Sequence, residues 1–227
     1  MLMEGLNALL ALIEKVNPGE IVLIEYRPSY IPEFLTKLLV EYGRKKGVPV
    51  VIDDNFDTLH VIQKHLKFWG IDEDFRDVLV VKSGGRMMVG NVVAEVEFSS
   101  EPLVYIKKYE KTFKEAVSGV ENSINIVLGL ERLFAFINSP REYYLFITGL
   151  QNMLGNRRRK AFYLINEKIA STLDFNPLPE LEYIASTVVR ITPTPTSART
   201  VFVKTPIREF LGSEFEITLE VVLDAFR

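Results

Sequence analysis

The sequence predicts an α/β fold built around a mostly parallel sheet, and two observations support this prediction. Short apolar runs rich in β-branched residues alternate with segments whose apolar residues recur at helical spacing, and short connections join them. The 227 residues are also 48% hydrophobic, and none of them is a cysteine. This composition excludes an intrinsically disordered chain and a disulfide scaffold.

The first third of the chain predicts an alternation of helices and strands. Residues Met1–Val16 carry apolar side chains at helical spacing, which predicts an amphipathic helix docked on the domain. The elements expected next are a strand over Glu20–Tyr26, a helix over Pro32–Lys46, a strand over Val48–Ile52, a helix over Phe56–Trp69 and a strand over Val78–Val81. Parallel strands joined by helices would place helices on both faces of the sheet.

The rest of the chain continues this pattern and then changes it. The expected elements are an edge strand over Val92–Phe98, a helix over Leu103–Val117, a strand over Ile124–Leu128, a helix over Arg141–Leu154 and a strand over Ala161–Ile165. From Thr187 onward, three strands separated by turns predict an antiparallel extension, with Phe215–Val222 as the last strand. We expect one domain over residues 1–227, with residues 187–227 as its β extension.

Charge and targeting signals narrow the classes of function. The chain has 27 Lys and Arg against 30 Asp and Glu, so its net charge is −3 and nucleic acid is an improbable partner for the whole surface. The apolar amino terminus lacks a basic leading region and a cleavage site, and no apolar run is long enough to span a membrane. We therefore expect a cytoplasmic protein that does not engage a membrane.

The order of these elements resembles the RecA/KaiC-like ATPase domain across nearly the whole chain. The strand Gly19–Ile24, the helix Phe34–Lys46 and the strand Val48–Ile52 follow one another at that family's spacing. Ile124–Leu128 resembles the strand that ends in the family's magnesium-site aspartate. The nearest resemblance is to uncharacterised archaeal RecA-like proteins, and the absence of cysteine fits a thermophile. The resemblance implies a RecA-like sheet with antiparallel carboxy-terminal strands and an ancestral nucleotide site.

The residues that would bind the nucleotide are nevertheless missing. A phosphate loop has the pattern G-x-x-x-x-G-K-[ST], in which glycine backbone, lysine and hydroxyl groups hold phosphate and Mg²⁺. The eight matching positions here run from Tyr26 to Glu33, with Ile31, Pro32 and Glu33 at the second glycine, the lysine and the hydroxyl residue. Gly129 stands where the magnesium-site aspartate would be. We therefore expect no Mg-ATP hydrolysis, no catalytic residue, no metal and no cofactor.

Two polar clusters are candidate ligand sites. Asp53 and Asp54 follow a predicted strand at the edge where open α/β sheets bind ligands, and Lys82 follows the next strand, so the three could form a ligand or cation site. The alternative is that the aspartates cap the helix that follows. The run Arg157, Arg158 and Arg159 could hold an anion or nucleic acid, or could simply be a solvated surface turn.

The degenerate phosphate loop is the third candidate site, and its aromatic residues favour a protein partner. If Tyr26 and Tyr30 are exposed at the mouth of the sheet, they form an apolar floor suited to a peptide, beside Arg27, Ser29 and Glu33. The leading hypothesis is a catalytically inactive RecA-like module that binds an unidentified protein or peptide, and that could form a homo-oligomer. The alternatives are a nucleotide-binding protein or ATPase with a rebuilt site and a nucleic-acid accessory factor.

Overall fold

The computed structural model of the protein describes residues 2–99 and 101–224. Within these ranges the chain forms one sheet of nine strands. The strands are β1 (Ile21–Tyr26), β2 (Val50–Asn55), β3 (Leu79–Ser83), β4 (Asn91–Val96), β5 (Ser123–Leu128), β6 (Arg159–Asn166), β7 (Thr187–Pro193), β8 (Ser197–Lys204) and β9 (Glu214–Thr218). The helices are α1 (Leu2–Lys15), α2 (Ile31–Lys46), α3 (Thr58–Phe68), α4 (Pro102–Ala116), α5 (Leu130–Phe134), α6 (Pro140–Asn152), α7 (Glu167–Ser171), α8 (Leu178–Ile184) and α9 (Leu219–Asp224).

The strand order is β4-β3-β2-β5-β6-β1-β7-β8-β9. The first seven strands in this order are parallel, and β8 and β9 add to β7 in antiparallel pairs. Each of β1, β2 and β5 is buried along its whole length, as expected for strands covered by helices on both faces. The predicted parallel sheet with antiparallel carboxy-terminal strands is confirmed.

Two hydrophobic layers enclose the sheet. On one face, α1, α2 and α3 pack against the even-numbered positions of β1, such as Val22 and Ile24. On the other face, α4, α5, α6 and α8 pack against Ile21 and Leu23. The alternation of side chains along each strand therefore assigns every strand residue to one of two separate cores.

The amino-terminal helix docks as predicted. Helix α1 buries Leu9, Leu12 and Ile13 in the first core and packs against β9. Gly5 lies at the point of closest approach, where a Cβ atom would meet the backbone oxygen of Glu216 at 2.8 Å. This close approach lets α1 pack directly against β9.

The carboxy-terminal extension differs from the prediction at its last strand. β7 pairs in parallel with β1, β8 runs antiparallel to β7, and β9 runs antiparallel to β8. The predicted last strand ends at Thr218, after which the chain turns into α9 and packs Val221 and Val222 on the first core. Helical spacing lets both side chains reach that core, whereas a strand would direct successive residues to opposite faces.

Candidate functional site

The turn between β1 and α2 occupies the place of the phosphate loop and is closed by its own hydrogen bonds. The Ser29 hydroxyl donates to the backbone oxygen of Arg27 at 2.9 Å and accepts from the amide of Ile31 at 3.3 Å. The exposed Arg27 guanidinium donates to the Glu167 carboxylate at 3.2 Å. Both polar side chains of the turn are thus engaged within the protein.

The amino-terminal end of α2 also offers few amides to an anion. The Ile31 amide donates to the Ser29 hydroxyl, and Pro32 has no N–H. A phosphate loop depends on such amides pointing at the ligand. The first two positions of α2 therefore offer no free N–H group to a phosphate.

Glu33 and Tyr26 point into the protein and not into a mouth of the sheet. The Glu33 carboxylate is buried and bonds to Nδ1 of His65 at 2.6 Å, and burial raises the pKa of this carboxyl group. Tyr26 is also buried, and burial raises the pKa of its hydroxyl well above the ordinary value, helped by the nearby Glu131 and Glu33. Tyr26 is a core residue beneath α2, so the condition that both tyrosines are exposed is not met and Tyr26 does not form an apolar floor with Tyr30.

Gly129, which stands at the position of the magnesium-site aspartate, has a left-handed backbone conformation and close neighbours. Gly129 has a φ of 69°, and a Cβ atom there would meet the backbone oxygen of Asn55 at 2.7 Å and the hydroxyl of Thr58. Glu131, two residues on, is buried, and burial raises the pKa of its carboxyl group to about 7. A carboxyl group that is half protonated near neutral pH is a poor ligand for Mg²⁺.

The structure separates the predicted ligand set of Asp53, Asp54 and Lys82. Asp54 and Lys82 form a buried ion pair with a distance of 3.0 Å, and Lys82 also bonds Asp57 at 2.6 Å. The second oxygen of Asp54 accepts the amide of Leu59, which confirms the helix-capping alternative for that residue. Lys82 is buried and lies within β3, so the prediction that it follows this strand is wrong.

Asp53 faces the opposite side of the sheet, because successive residues of a strand alternate. One of its oxygens accepts the Tyr109 hydroxyl at 2.8 Å and the Asn125 amide at 3.0 Å. Asn125 in turn accepts from the guanidinium of Arg159, which lies 5.6 Å from the centre of the Phe113 ring. Burial nevertheless raises the pKa of Asp53 to about 6. These contacts form a buried polar network inside the second core, in which Oδ1 of Asp53 and Nε of Arg159 have no hydrogen-bond partner among the described residues.

The burial of Arg159 corrects the interpretation of the arginine run. Arg157 and Arg158 are exposed, and Arg158 lies with Lys111 and Lys114 around an open depression. Arg159 is the first residue of β6 and is only 2% exposed. One signal for this network was present in the sequence: Asn125 is a polar residue inside an otherwise apolar strand.

An apolar groove opens on the other face, between α1, α2 and the turn that joins β7 to β8. Its volume is about 200 Å³. Its lining contains apolar and hydroxyl side chains and no charged residue: Leu6, Leu9, Ser29, Tyr30, Ile31, Phe34, Leu35, Leu38, Trp69, Ile191, Pro193, Thr194, Pro195, Thr196, Ser197, Ala198, Ile217 and Val222. We call this site the apolar groove.

Aromatic rings line one side of the apolar groove. Tyr30 is 45% exposed and meets Trp69, the only tryptophan of the chain, edge to face at 5.3 Å. Trp69 also contacts Phe34 edge to face at 5.8 Å. An exposed Tyr30 in an apolar surface agrees with the sequence prediction, whereas the contributions of α1, β8 and α9 were not predicted.

Comparison with known proteins places the chain in a family. A family model described as a Pyrococcus protein of unknown function, DUF257, matches residues 11–214. The chain belongs to this family. A search of the curated proteins found no match.

Two solved structures from Pyrococcus horikoshii OT3 are similar to this DUF257 protein. A structure with the project label PH0250 is 26% identical, has a TM-score of 0.76, and the match covers 90% of this chain and 96% of that chain. The KaiC-like protein PH0186 is 10% identical, has a TM-score of 0.61, and the match covers 88% of this chain and 85% of that chain. The KaiC-like resemblance of the fold is thereby confirmed.

Two further observations bear on ligands and membranes. Over residues 2–99 and 101–224, no group of three or more histidine, aspartate or glutamate side chains is arranged to hold a metal ion. In the same part of the DUF257 chain, no helix combines the length and the apolar character needed to cross a bilayer.

Proposed function

We propose that this DUF257 protein is a KaiC-like domain without ATPase chemistry that binds an apolar peptide segment of a partner protein in the apolar groove. The observation that carries the proposal is the lining of the groove, which is large, open and free of charged side chains. Apolar clefts of this kind mark ligand and partner sites, because monomeric proteins seldom leave such surface exposed without a role.

The absence of nucleotide chemistry is supported by the geometry of the phosphate-loop position. The first two positions of α2 offer no free amide donor, and Gly129 cannot be replaced by an aspartate without a clash. A rebuilt nucleotide site that uses Arg27, Asp53, Asp54 and Lys82 would need these residues together. Arg27 pairs with Glu167, while Asp53 and Lys82 are bonded within the two separate cores.

A peptide selection tests the proposal. A phage-displayed library of random peptides is selected on the wild-type protein, and the enriched peptides are then measured on Thr196→Phe, which places a ring at the exposed rim of the groove. Thr148→Phe, on the exposed side of α6, is the matched control. We expect enriched apolar peptides that bind the wild type and the control and bind Thr196→Phe at least tenfold more weakly.

Calorimetry with ATP, with and without Mg²⁺, tests the second part of the proposal, that the domain lacks nucleotide chemistry. We expect no binding heat in either titration. Micromolar binding of Mg-ATP, or selected peptides that bind both phenylalanine variants equally, would contradict the proposal.

A further inference from the structure

We infer that the apolar groove takes a single aromatic side chain as the anchor of the bound segment. This inference rests on the proposed function and adds the chemical class of the group that enters the groove. It is carried by the size of the groove, by the arrangement of the rings around it and by the kind of polar groups at its rim.

The size of the groove matches one ring. An apolar protein cavity of roughly 150 Å³ accepts a benzene molecule and stays dry when empty. The apolar groove, at about 200 Å³, has room for one aromatic side chain against its lining. Partner segments commonly bind through one buried aromatic residue that fills one pocket.

The ring arrangement favours an aromatic group over an aliphatic one. Trp69 already forms edge-to-face contacts with Tyr30, at an interplanar angle of 85°, and with Phe34, at 62°. A further ring that enters beside Tyr30 can form the same kind of contact, which aromatic pairs prefer to face-to-face stacking. An aliphatic side chain of equal area lacks this contribution.

The rim favours an uncharged group with one polar end. The hydroxyls of Ser29 and Thr194 are bonded within the protein, Thr194 to Ser197, while Thr196 is exposed at the lip. Hydroxyl groups can satisfy an indole N–H or a phenol O–H but cannot neutralise an ion. The anchor is therefore a tryptophan or tyrosine side chain without a nearby charge.

Small probes test the anchor separately from the peptide. The wild-type protein is titrated by calorimetry with indole, with cyclohexanol as the aliphatic control and with benzoate and benzylammonium as charged controls. Methyl NMR shifts of Leu9, Ile31 and Leu35 locate the bound probe. We expect indole to bind more tightly than all three controls and to shift these methyl groups by its ring current.

A matched pair of tyrosine variants sharpens the test. Tyr30→Ala removes one ring from the groove, whereas Tyr144→Ala removes a tyrosine that is 59% exposed on α6. Loss of one aromatic contact should weaken indole binding about fivefold to tenfold in Tyr30→Ala. Tyr144→Ala should bind indole as the wild type does.

The outcomes distinguish this inference from the proposed function. If cyclohexanol binds as tightly as indole, the aromatic anchor is overturned while peptide binding still stands. If indole binds in the groove and the library yields no groove-dependent peptide, the anchor site stands and the proposed function fails. If Phe226→Ala, a change outside the described residues, strengthens indole binding tenfold, the chain's own end is the occupant and the inference is overturned.

Discussion

The two faces of the sheet differ in what they bury and what they expose: one buries a network of polar side chains, and the other leaves an apolar groove open. On the face covered by α4 and α6, Asn125 links Asp53 to Arg159 and Tyr109 donates to Asp53, so these polar groups are buried inside the core and largely bonded to one another. On the face covered by α1 and α2, the groove beside Tyr30 leaves apolar surface open to solvent. Polar groups that satisfy one another serve stability, whereas open apolar surface is available for binding.

The same contrast is present near the turn between β1 and α2, where the sequence resemblance places the phosphate loop. The residues at the ends of β1 and β5 are core or turn residues, as the burial of Tyr26 and Glu131 and the left-handed backbone of Gly129 indicate. The apolar groove borders the same turn, because Ser29, Tyr30 and Ile31 line it. A KaiC-like fold does not by itself determine which chemistry its surface offers.

The largest predicted effect on stability concerns the buried polar network around Asp53 and Arg159. Arg159→Met should lower the free energy of unfolding by about 3–5 kcal/mol, because it leaves the buried Asp53 without its compensating charge. Arg158→Met, the matched exposed control, should change stability by less than about 0.5 kcal/mol. Urea denaturation measures both. Equal effects of the two substitutions would show that the network does not stabilise the fold.

The next effect tests whether the magnesium position can be restored. Gly129→Asp should destabilise the protein by about 2 kcal/mol, since the backbone has a positive φ and the new side chain meets Thr58 and Asn55. The variant should bind no Mg²⁺ by calorimetry. A stable variant that gains Mg²⁺ or Mg-ATP binding would mean that only one residue separates this chain from a functional site.

A smaller effect depends on pH and concerns Glu131. Its pKa in the folded protein is about 7 against an ordinary 4.5, so it contributes full stability below about pH 4.5 and loses it as the pH rises through 7. Glu131→Gln should therefore gain about 1–3 kcal/mol relative to wild type at pH 8 compared with pH 4.5. Denaturation at both pH values measures this gain. The same difference between the proteins at both values would contradict the burial argument.

The smallest effect on stability is expected at the groove. Thr196→Phe should change the free energy of unfolding by less than about 0.5 kcal/mol, because Thr196 is exposed and makes no core contact. Thermal unfolding of the wild type, Thr196→Phe and Thr148→Phe provides the comparison. A large loss of stability in Thr196→Phe alone would mean that the rim is structural, and loss of peptide binding could then not be assigned to the groove.

The sequence predicted the sheet well because the period of its apolar residues is a local property. Runs such as Ile124–Leu128 and Ala161–Ile165 are buried on both faces and are distinct from the helical segments that separate them. The arginine run before β6 was interpreted wrongly at Arg159. The sequence pattern alone does not show that Arg159 begins the strand and that strand alternation turns its side chain into the core. The same alternation separates Asp53 from Asp54, which adjacency in the sequence conceals.

Only one wall of the apolar groove, the turn that contains Tyr30, could be predicted from the sequence. Tyr30 stands in a turn that the sequence identifies, but the opposite wall comes from α1, the β7–β8 turn and α9. These segments are distant in the chain and meet because α1 packs on β9. No local pattern encodes such a meeting, so the groove could be recognised only from the folded structure.

The most direct test of the account is a pair of calorimetric titrations on one protein preparation, with a selected apolar peptide and with Mg-ATP, repeated on Thr196→Phe. The account predicts that the peptide binds the wild type, that Thr196→Phe weakens this binding at least tenfold, and that Mg-ATP gives no heat with either protein. Micromolar Mg-ATP binding, together with peptide binding that Thr196→Phe leaves unchanged, would place the functional surface at the ancestral nucleotide position and contradict the account.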